Sequence, residues 1–270
     1  MRELSALRYE PIEKRIRGVL GGATVIDSVR AMLVWEPKRV VPTYGFPIED
    51  IDGEIVPAPP AGELDTTSLE VPELAAPRLS GRTVLDPSVP FAVRTTEGEP
   101  LSIRARDREA AAFRPTDDAL AGYVTVDFDA FDAWYEEDER NVGHPRDPFH
   151  RIDIVRSRRH VRVEHHGELL AESTASYLVF EPPLPVRYYL PPQDVRSDLL
   201  HASEKISVCA YKGYASYWSS ATDEDIAWSY PRPLREAAEV AGHVAFLNEL
   251  VDITVDGTLL PHPETPWSRR

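Results

Sequence analysis

Apolar and polar residues alternate with period two along much of this chain, in short runs. Val161-Arg-Val-Glu-His165 sets its valines on one face and Arg162 and Glu164 on the other, and Ile16–Leu20 has a similar layout. Alternation of this kind marks a half-buried strand, because successive side chains of extended backbone point to opposite faces. His166-Gly167 then separates Val161–Val163 from Leu169–Ala171 and predicts a turn between two strands. Tyr177–Phe180 is another β-rich run, stopped by the prolines after Glu181. Val244–Leu247 and Val251–Val255, separated by Asn248-Glu249-Leu250, predict a hairpin, and Asp256-Gly257 a further turn. Helices are expected only as short pieces: Asp194 to Leu200, with Asp194 near its start, and Pro233 to Val240, with proline in the first turn. Strands do not alternate with helices as a doubly wound sheet requires. The expected fold is mainly β with short helices.

The pattern occurs twice. A shift of 145 positions lays Ile16–Pro37 on Val161–Pro182 without a gap, matching Arg17, Gly22, Ser28, Leu33, Val34, Glu36 and Pro37 to identical residues. After a one-residue slip Tyr44 and Asp50 meet Tyr188 and Asp194, and further on Ala121-Gly122-Tyr123-Val124 meets Ala241-Gly242-His243-Val244. Several blocks in one order indicate a duplication. Two tandem copies of one small β-rich domain are expected: residues 10–150, a degenerate copy with a Pro-rich insertion at about 53–100, and residues 151–268, a well-preserved copy. Between Ile55 and Pro100 the density of proline and glycine predicts an irregular, extended connection.

Composition narrows the possible partners. Of 270 residues 42% are hydrophobic, enough for packed cores, and the formal charge of −15 argues against a nucleic-acid partner, whose phosphates need a basic stripe; the most basic stretch, Arg156–Arg162, is short and lies between the copies. A single cysteine, Cys209, rules out an intrachain disulfide and a thiolate-rich zinc site. Met1 to Glu10 lack the layout of a signal peptide, and no apolar run approaches the roughly 20 residues that cross a bilayer. A soluble, cytoplasmic protein is expected, with a small-molecule ligand or a second copy of the chain as partner. Whether a cofactor is used, and which, is left open by the sequence. His165 and His166 are adjacent, so on a strand they face opposite ways and do not ligate one metal.

Divergence between the copies directs attention to the second. Leu101–Phe113 aligns without a gap on Ile206–Trp218, which pairs Phe113 with Trp218 and leaves no counterpart in the first copy for Ser219–Tyr230. The apolar frame survives, but Cys209, Tyr211, Lys212, Gly213, Tyr214 and Tyr217 face Arg104, Arg106, Asp107, Arg108, Glu109 and Ala112. On a strand Cys209, Tyr211 and Tyr217 would share one face, with Lys212, Tyr214 and Trp218 opposite, and Gly213 marking a bulge or a close backbone approach. Tyrosine and tryptophan combine apolar faces with polar tips, which suits a concave site for a ring or a cation. The candidate ligand-binding set is Tyr188, Asp194, Cys209, Tyr211, Lys212, Tyr217, Trp228 and Tyr230. Lys212 would hold a carboxylate or phosphate, or act as a nucleophile if burial lowers its pKa. Asp194 would cap a helix or pair with Lys212.

Tyr188-Tyr189-Leu-Pro191 with Asp194-Val-Arg, then Cys209-Ala-Tyr-Lys212-Gly213-Tyr-Ala-Ser-Tyr217, Ala227-Trp228-Ser-Tyr230-Pro231 and Ala241-Gly242-His-Val-Ala-Phe246 form a motif series. This series is similar to that of the domain of unknown function 427 family over about residues 160–257, with alanine at 210 where the family often has proline. The resemblance brings a nucleotidyltransferase-like label. That chemistry needs paired carboxylates for two metals and a glycine loop for phosphate, and the second copy has no Asp-x-Asp on a strand; Asp127-Phe-Asp129 has the form but lies in the first copy. Three classes of function follow: a small-molecule-binding domain, an enzyme, and a structural or dimerisation protein.

Overall fold

The computed structural model describes residues 6–59, 89–182, 184–265 and 268. The chain divides at Asp147/Pro148 into two compact units. The first contains β1 (Arg8–Pro11), β2 (Ile16–Leu20), β3 (Ala23–Ser28), β4 (Met32–Trp35), β5 (Thr43–Pro47), β6 (Glu54–Pro57), β7 (Gly98–Ala105), β8 (Arg108–Pro115), β9 (Tyr123–Val126), β10 (Ala133–Glu136) and β11 (Glu139–Asn141). The second contains β12 (Asp153–Arg156), β13 (Val161–His165), β14 (Glu168–Ser173), β15 (Tyr177–Phe180), β16 (Arg187–Leu190), β17 (His201–Cys209), β18 (Gly213–Ser219), β19 (Ala227–Ser229), β20 (Val244–Phe246), β21 (Asp252–Val255) and β22 (Thr258–Leu259). Among the described residues the helical pieces are all 3-10 turns.

Each unit has a seven-stranded and a four-stranded sheet with the same strand order. The large sheets run β1-β4-β5-β9-β8-β7-β6 and β12-β15-β16-β20-β19-β18-β17, and the small ones β11-β10-β2-β3 and β22-β21-β13-β14. The register agrees as well. Leu33 faces Tyr44 as Leu178 faces Tyr188, and the β2/β3 bulge at Gly18/Val19 recurs at Val163/Glu164. This is a mainly β chain built as two copies of one fold.

One expected equivalence changes. Ala112 and Phe113 of β8 pair with Val126 and Thr125 of β9, whereas Ala227 and Trp228 of β19 pair with Phe246 and Ala245 of β20. Phe113 is therefore the counterpart of Trp228, not of Trp218, and β8 occupies the place of β19. The alignment slipped by one whole strand because apolar alternation of period two matches equally well on any neighbouring strand. Segment Ser219–Tyr230 thus has a partner after all. The units differ in where their long connection lies: after β6 in the first unit, and after β18, at residues 220–226, in the second.

Three other expectations are corrected. The ends of the Pro-rich insertion are regular, since β6 and β7 pair from Glu54↔Arg104 to Pro57↔Leu101; residues 60–88 lie outside the described residues. Val244–Leu247 and Val251–Val255 make no hairpin, because β20 belongs to the large sheet and β21 to the small one. Asp194 ends a 3-10 turn, Pro192–Asp194, rather than opening a helix.

Alternation along the strands sorts side chains onto the two faces of the second large sheet. Tyr188, Leu190, Ala227, Val244 and Phe246 pack with Val161, Val163, Ile253 and Val255 of the small sheet. Tyr189, Trp228, Tyr230, Ala245 and Val179 form a separate buried layer on the opposite face, joined by the half-buried Tyr177, Tyr217 and Cys209. We call this opposite face the outer face.

Candidate functional site

The outer layer of the second unit centres on a buried cation. Cys209 ends β17, and the chain reverses through Ala210-Tyr211-Lys212 into Gly213, whose φ of +91° favours glycine. The reversal is held from outside: Leu234 N–H donates to the Lys212 carbonyl at 3.1 Å, and a Cβ on Gly213 would lie 3.3 Å from Leu234 Cγ. Gly213 thus marks the close approach its position suggested. Because Lys212 lies in the turn and not on a strand, it joins the Cys209 and Tyr217 face instead of opposing it. Its ammonium donates to Glu181 Oε2. Burial works to lower its pKa, but Cys209, Glu181, Tyr230 and Tyr189 outweigh that and hold it well above the ordinary lysine value. Lys212 is thus held as a cation in an ion pair with Glu181.

The aromatic side chains surround this ion pair. Trp228 Nε1 donates to Tyr189 Oη at 3.0 Å with the rings edge-on, and the Tyr217 ring centroid lies 6.4 Å from that of Trp228. Burial raises the Tyr189 hydroxyl to about 12 and the Tyr230 hydroxyl well above its usual value. Arg187 stacks 5.5 Å from the Trp228 centroid and makes a bidentate pair with Glu249 at 2.6 and 2.7 Å. Burial works against the Glu249 charge, yet the Arg187 bonds keep its pKa below the ordinary range. At the margin Tyr217 exchanges a hydrogen bond with Ser207 at 2.8 Å and carries the Lys205 ammonium 4.6 Å from its ring centroid.

Of the eight candidate residues, the structure gathers Cys209, Lys212, Tyr217, Trp228 and Tyr230. Tyr211 is buried in the same turn but meets His150 and Arg151, with the Arg151 guanidinium 5.3 Å from its ring. Tyr188 and Asp194 lie elsewhere. Tyr188 faces the core between the two sheets, because it neighbours Tyr189 on one strand. Asp194 accepts from Ser173 Oγ at 2.6 Å and does not pair with Lys212; Asp50 and Ser28 make the same contact at 2.6 Å in the first unit. Sequence reasoning missed Glu181, Tyr189, Arg187 and Glu249. Glu181 carried a usable signal, since it matches Glu36 in the other copy.

In the first unit Glu36 is also met by a cation, but from a different source. Arg94, in the connection between β6 and β7, donates to Glu36 at 3.2 Å and to Asp127, and Thr95 N–H donates to Glu36 at 2.6 Å. The aromatic positions are otherwise filled. By register Gly45 stands for Tyr189, Pro100 for Tyr217, Phe113 for Trp228 and Pro115 for Tyr230. Asp127, half of the Asp-x-Asp, is occupied by Arg94; burial raises its pKa, as it also does for Asp129.

Residues 153–257 match the model of one family, described as a domain of unknown function (DUF427). The matched stretch lies wholly within the second unit. The DUF427 match covers β12 through β21 and so contains the Lys212–Glu181 pair and every aromatic residue of the outer layer. No curated protein matches the chain. None of the helical pieces described is long and apolar enough to cross a membrane.

Proposed function

We propose that the DUF427 domain binds a small ring-bearing molecule against its outer aromatic layer, with Tyr217, Trp228 and Tyr230 as ring contacts. The observation that supports this is the contrast with the first unit. The same sheet, register and a glutamate–cation pair are built there with Gly45, Pro100 and Pro115 in place of three tyrosines. The fold therefore does not require the tyrosines. Buried Tyr and Trp with polar tips are the residues that read rings at low entropic cost.

Charge restricts the ligand. Lys212 is matched by Glu181 and Arg187 by the buried Glu249, so a phosphate or carboxylate would have to displace an acid already paired. A planar, neutral or weakly charged molecule fits better. The test is a thermal-shift screen of the full chain against nucleosides, aromatic acids and amines. A ligand specific to the native state stabilises by about 2.7 kcal/mol at 100 times its Kd. The half-buried Tyr217 is the residue to change. A hit lost in Tyr217→Leu and kept in Asp194→Ala supports the reading; a hit indifferent to Tyr217→Leu, or silence across the panel, rejects it.

A further inference from the structure

A second constellation lies on the DUF427 domain away from the aromatic layer. His165 closes β13 and His166 opens the turn into β14 with φ +50°, a left-handed conformation. That single reversal undoes the strand alternation that would have separated the two rings, whose centroids are 4.1 Å apart. The loop at residues 220–226 brings an acid to meet them. His165 Nε2 and His166 Nε2 lie 2.9 and 3.1 Å from the same Asp223 oxygen, and one donor atom from each of the three residues lies within 4.8 Å of the others.

We propose that His165, His166 and Asp223 bind a divalent transition metal, with Zn2+ the first to test. Two imidazole nitrogens and one carboxylate oxygen suit Zn2+, Co2+, Ni2+ or Fe2+ rather than Ca2+ or Mg2+. Metal–ligand bonds of about 2.0–2.2 Å place tetrahedral donors about 3.3–3.6 Å apart, so each imidazole nitrogen would draw back from the Asp223 oxygen by a few tenths of an ångström. The carboxylate is oriented in advance: Thr222 Oγ1 donates to Asp223 Oδ2 at 2.8 Å, while Ser220 Oγ accepts the Asp223 N–H at 3.0 Å. The buried His165 is fixed in place, and the exposed His166 leaves the site open on one side.

The surroundings fit an open site. His165, His166 and Thr222 line a groove of about 370 Å³ that Glu168, Asp198 and His201 also border. Three protein donors leave a coordination position toward that groove for water or an exogenous ligand, the pattern of sites that do chemistry rather than staple a fold. The first unit again supplies a contrast. Leu20 and Gly21 stand where His165 and His166 do, and the tight turn Arg106-Asp107 takes the place of the loop carrying Asp223.

The experiment uses the full chain, free of any affinity tag and stripped with chelator, titrated with Co2+ by visible absorption and with Zn2+ by calorimetry. One equivalent should bind, with His166→Ala and Asp223→Asn each weakening affinity by at least about 10-fold. His166 is exposed, so its variant should melt as the wild type does. Tyr217→Leu should bind metal normally, which separates this site from the aromatic layer. Absence of saturable binding, or affinity unchanged in both His166→Ala and Asp223→Asn, overturns the proposal.

Discussion

The two units are an internal control experiment. Strand order, register, the bulge in the small sheet and the Ser–Asp contact are common to both, so these belong to the fold. A glutamate matched by a buried or nearly buried cation is also common, although Lys212 comes from a three-residue turn and Arg94 from a long connection. What is confined to one unit is then a candidate for function: the tyrosine layer, and the corner with two histidines and an acid. The contrast teaches that a charge requirement can be met from different parts of a chain while its aromatic surroundings change freely.

The strongest way to break the comparison is to remove the cations. Arg94→Met leaves buried Glu36 and Asp127 without their partner, and Lys212→Met leaves the half-buried Glu181 without its cation; each should cost about 3–5 kcal/mol by denaturant unfolding. Equal losses confirm one shared structural role, whereas a small loss for Lys212→Met alone would mean that its pair is not structural. Next in size is the alkaline behaviour of Tyr189. The folded hydroxyl keeps its proton to about 12 while an unfolded tyrosine loses it near 10. The unfolded state sheds its proton first, so stability is intact below pH 10 and falls between 10 and about 12. Two pH units amount to roughly 2–3 kcal/mol. Tyr189→Phe should flatten that decline when melting is followed against pH.

Smaller changes sharpen the contrast. Trp228→Phe writes the first unit's residue into the second and removes the donor to Tyr189; a cost of about 1–2 kcal/mol in urea titration is expected. Trp228→Ala, by contrast, opens a cavity in the aromatic layer and is not a clean probe of binding. The least costly change should be Asp194→Ala, at about 1 kcal/mol, matched by Asp50→Ala in the first unit. A much larger effect at Asp194 would return that residue to the functional set.

The fold class and the duplication were legible in the chain because period-two alternation and repeated identities survive without any tertiary knowledge. Tyr177–Phe180 and the His166-Gly167 and Asp256-Gly257 turns fall where the pattern put them. Pairing was less legible. Phe113 was matched to the wrong tryptophan, since strand-length alternation carries no label saying which neighbour a strand takes. Five of the eight candidate residues meet in space, because Cys209 to Tyr230 form consecutive strands of one sheet. Tyr188 and Asp194 were separated from them by a single alternation step and by a local serine contact, respectively. The two histidine rings were set on opposite faces although His166 was read as a turn residue; its left-handed φ undoes the alternation that neighbouring strand residues would show.

The closing strands of each unit have a consequence for its assembly. In the second unit β13 pairs with β21, joining Val161 to Val255 across nearly the whole length of the unit, and β2 pairs with β10 likewise in the first. Every other strand of the unit except the edge strand β12 and the terminal β22 lies between those partners in sequence. The small sheet is thus a clasp whose halves emerge from the ribosome far apart in time. Such a topology of high contact order folds slowly and late. A nascent second unit stays unclasped until Val255 has been made, so shortening the chain before that residue removes the clasp and not merely a tail.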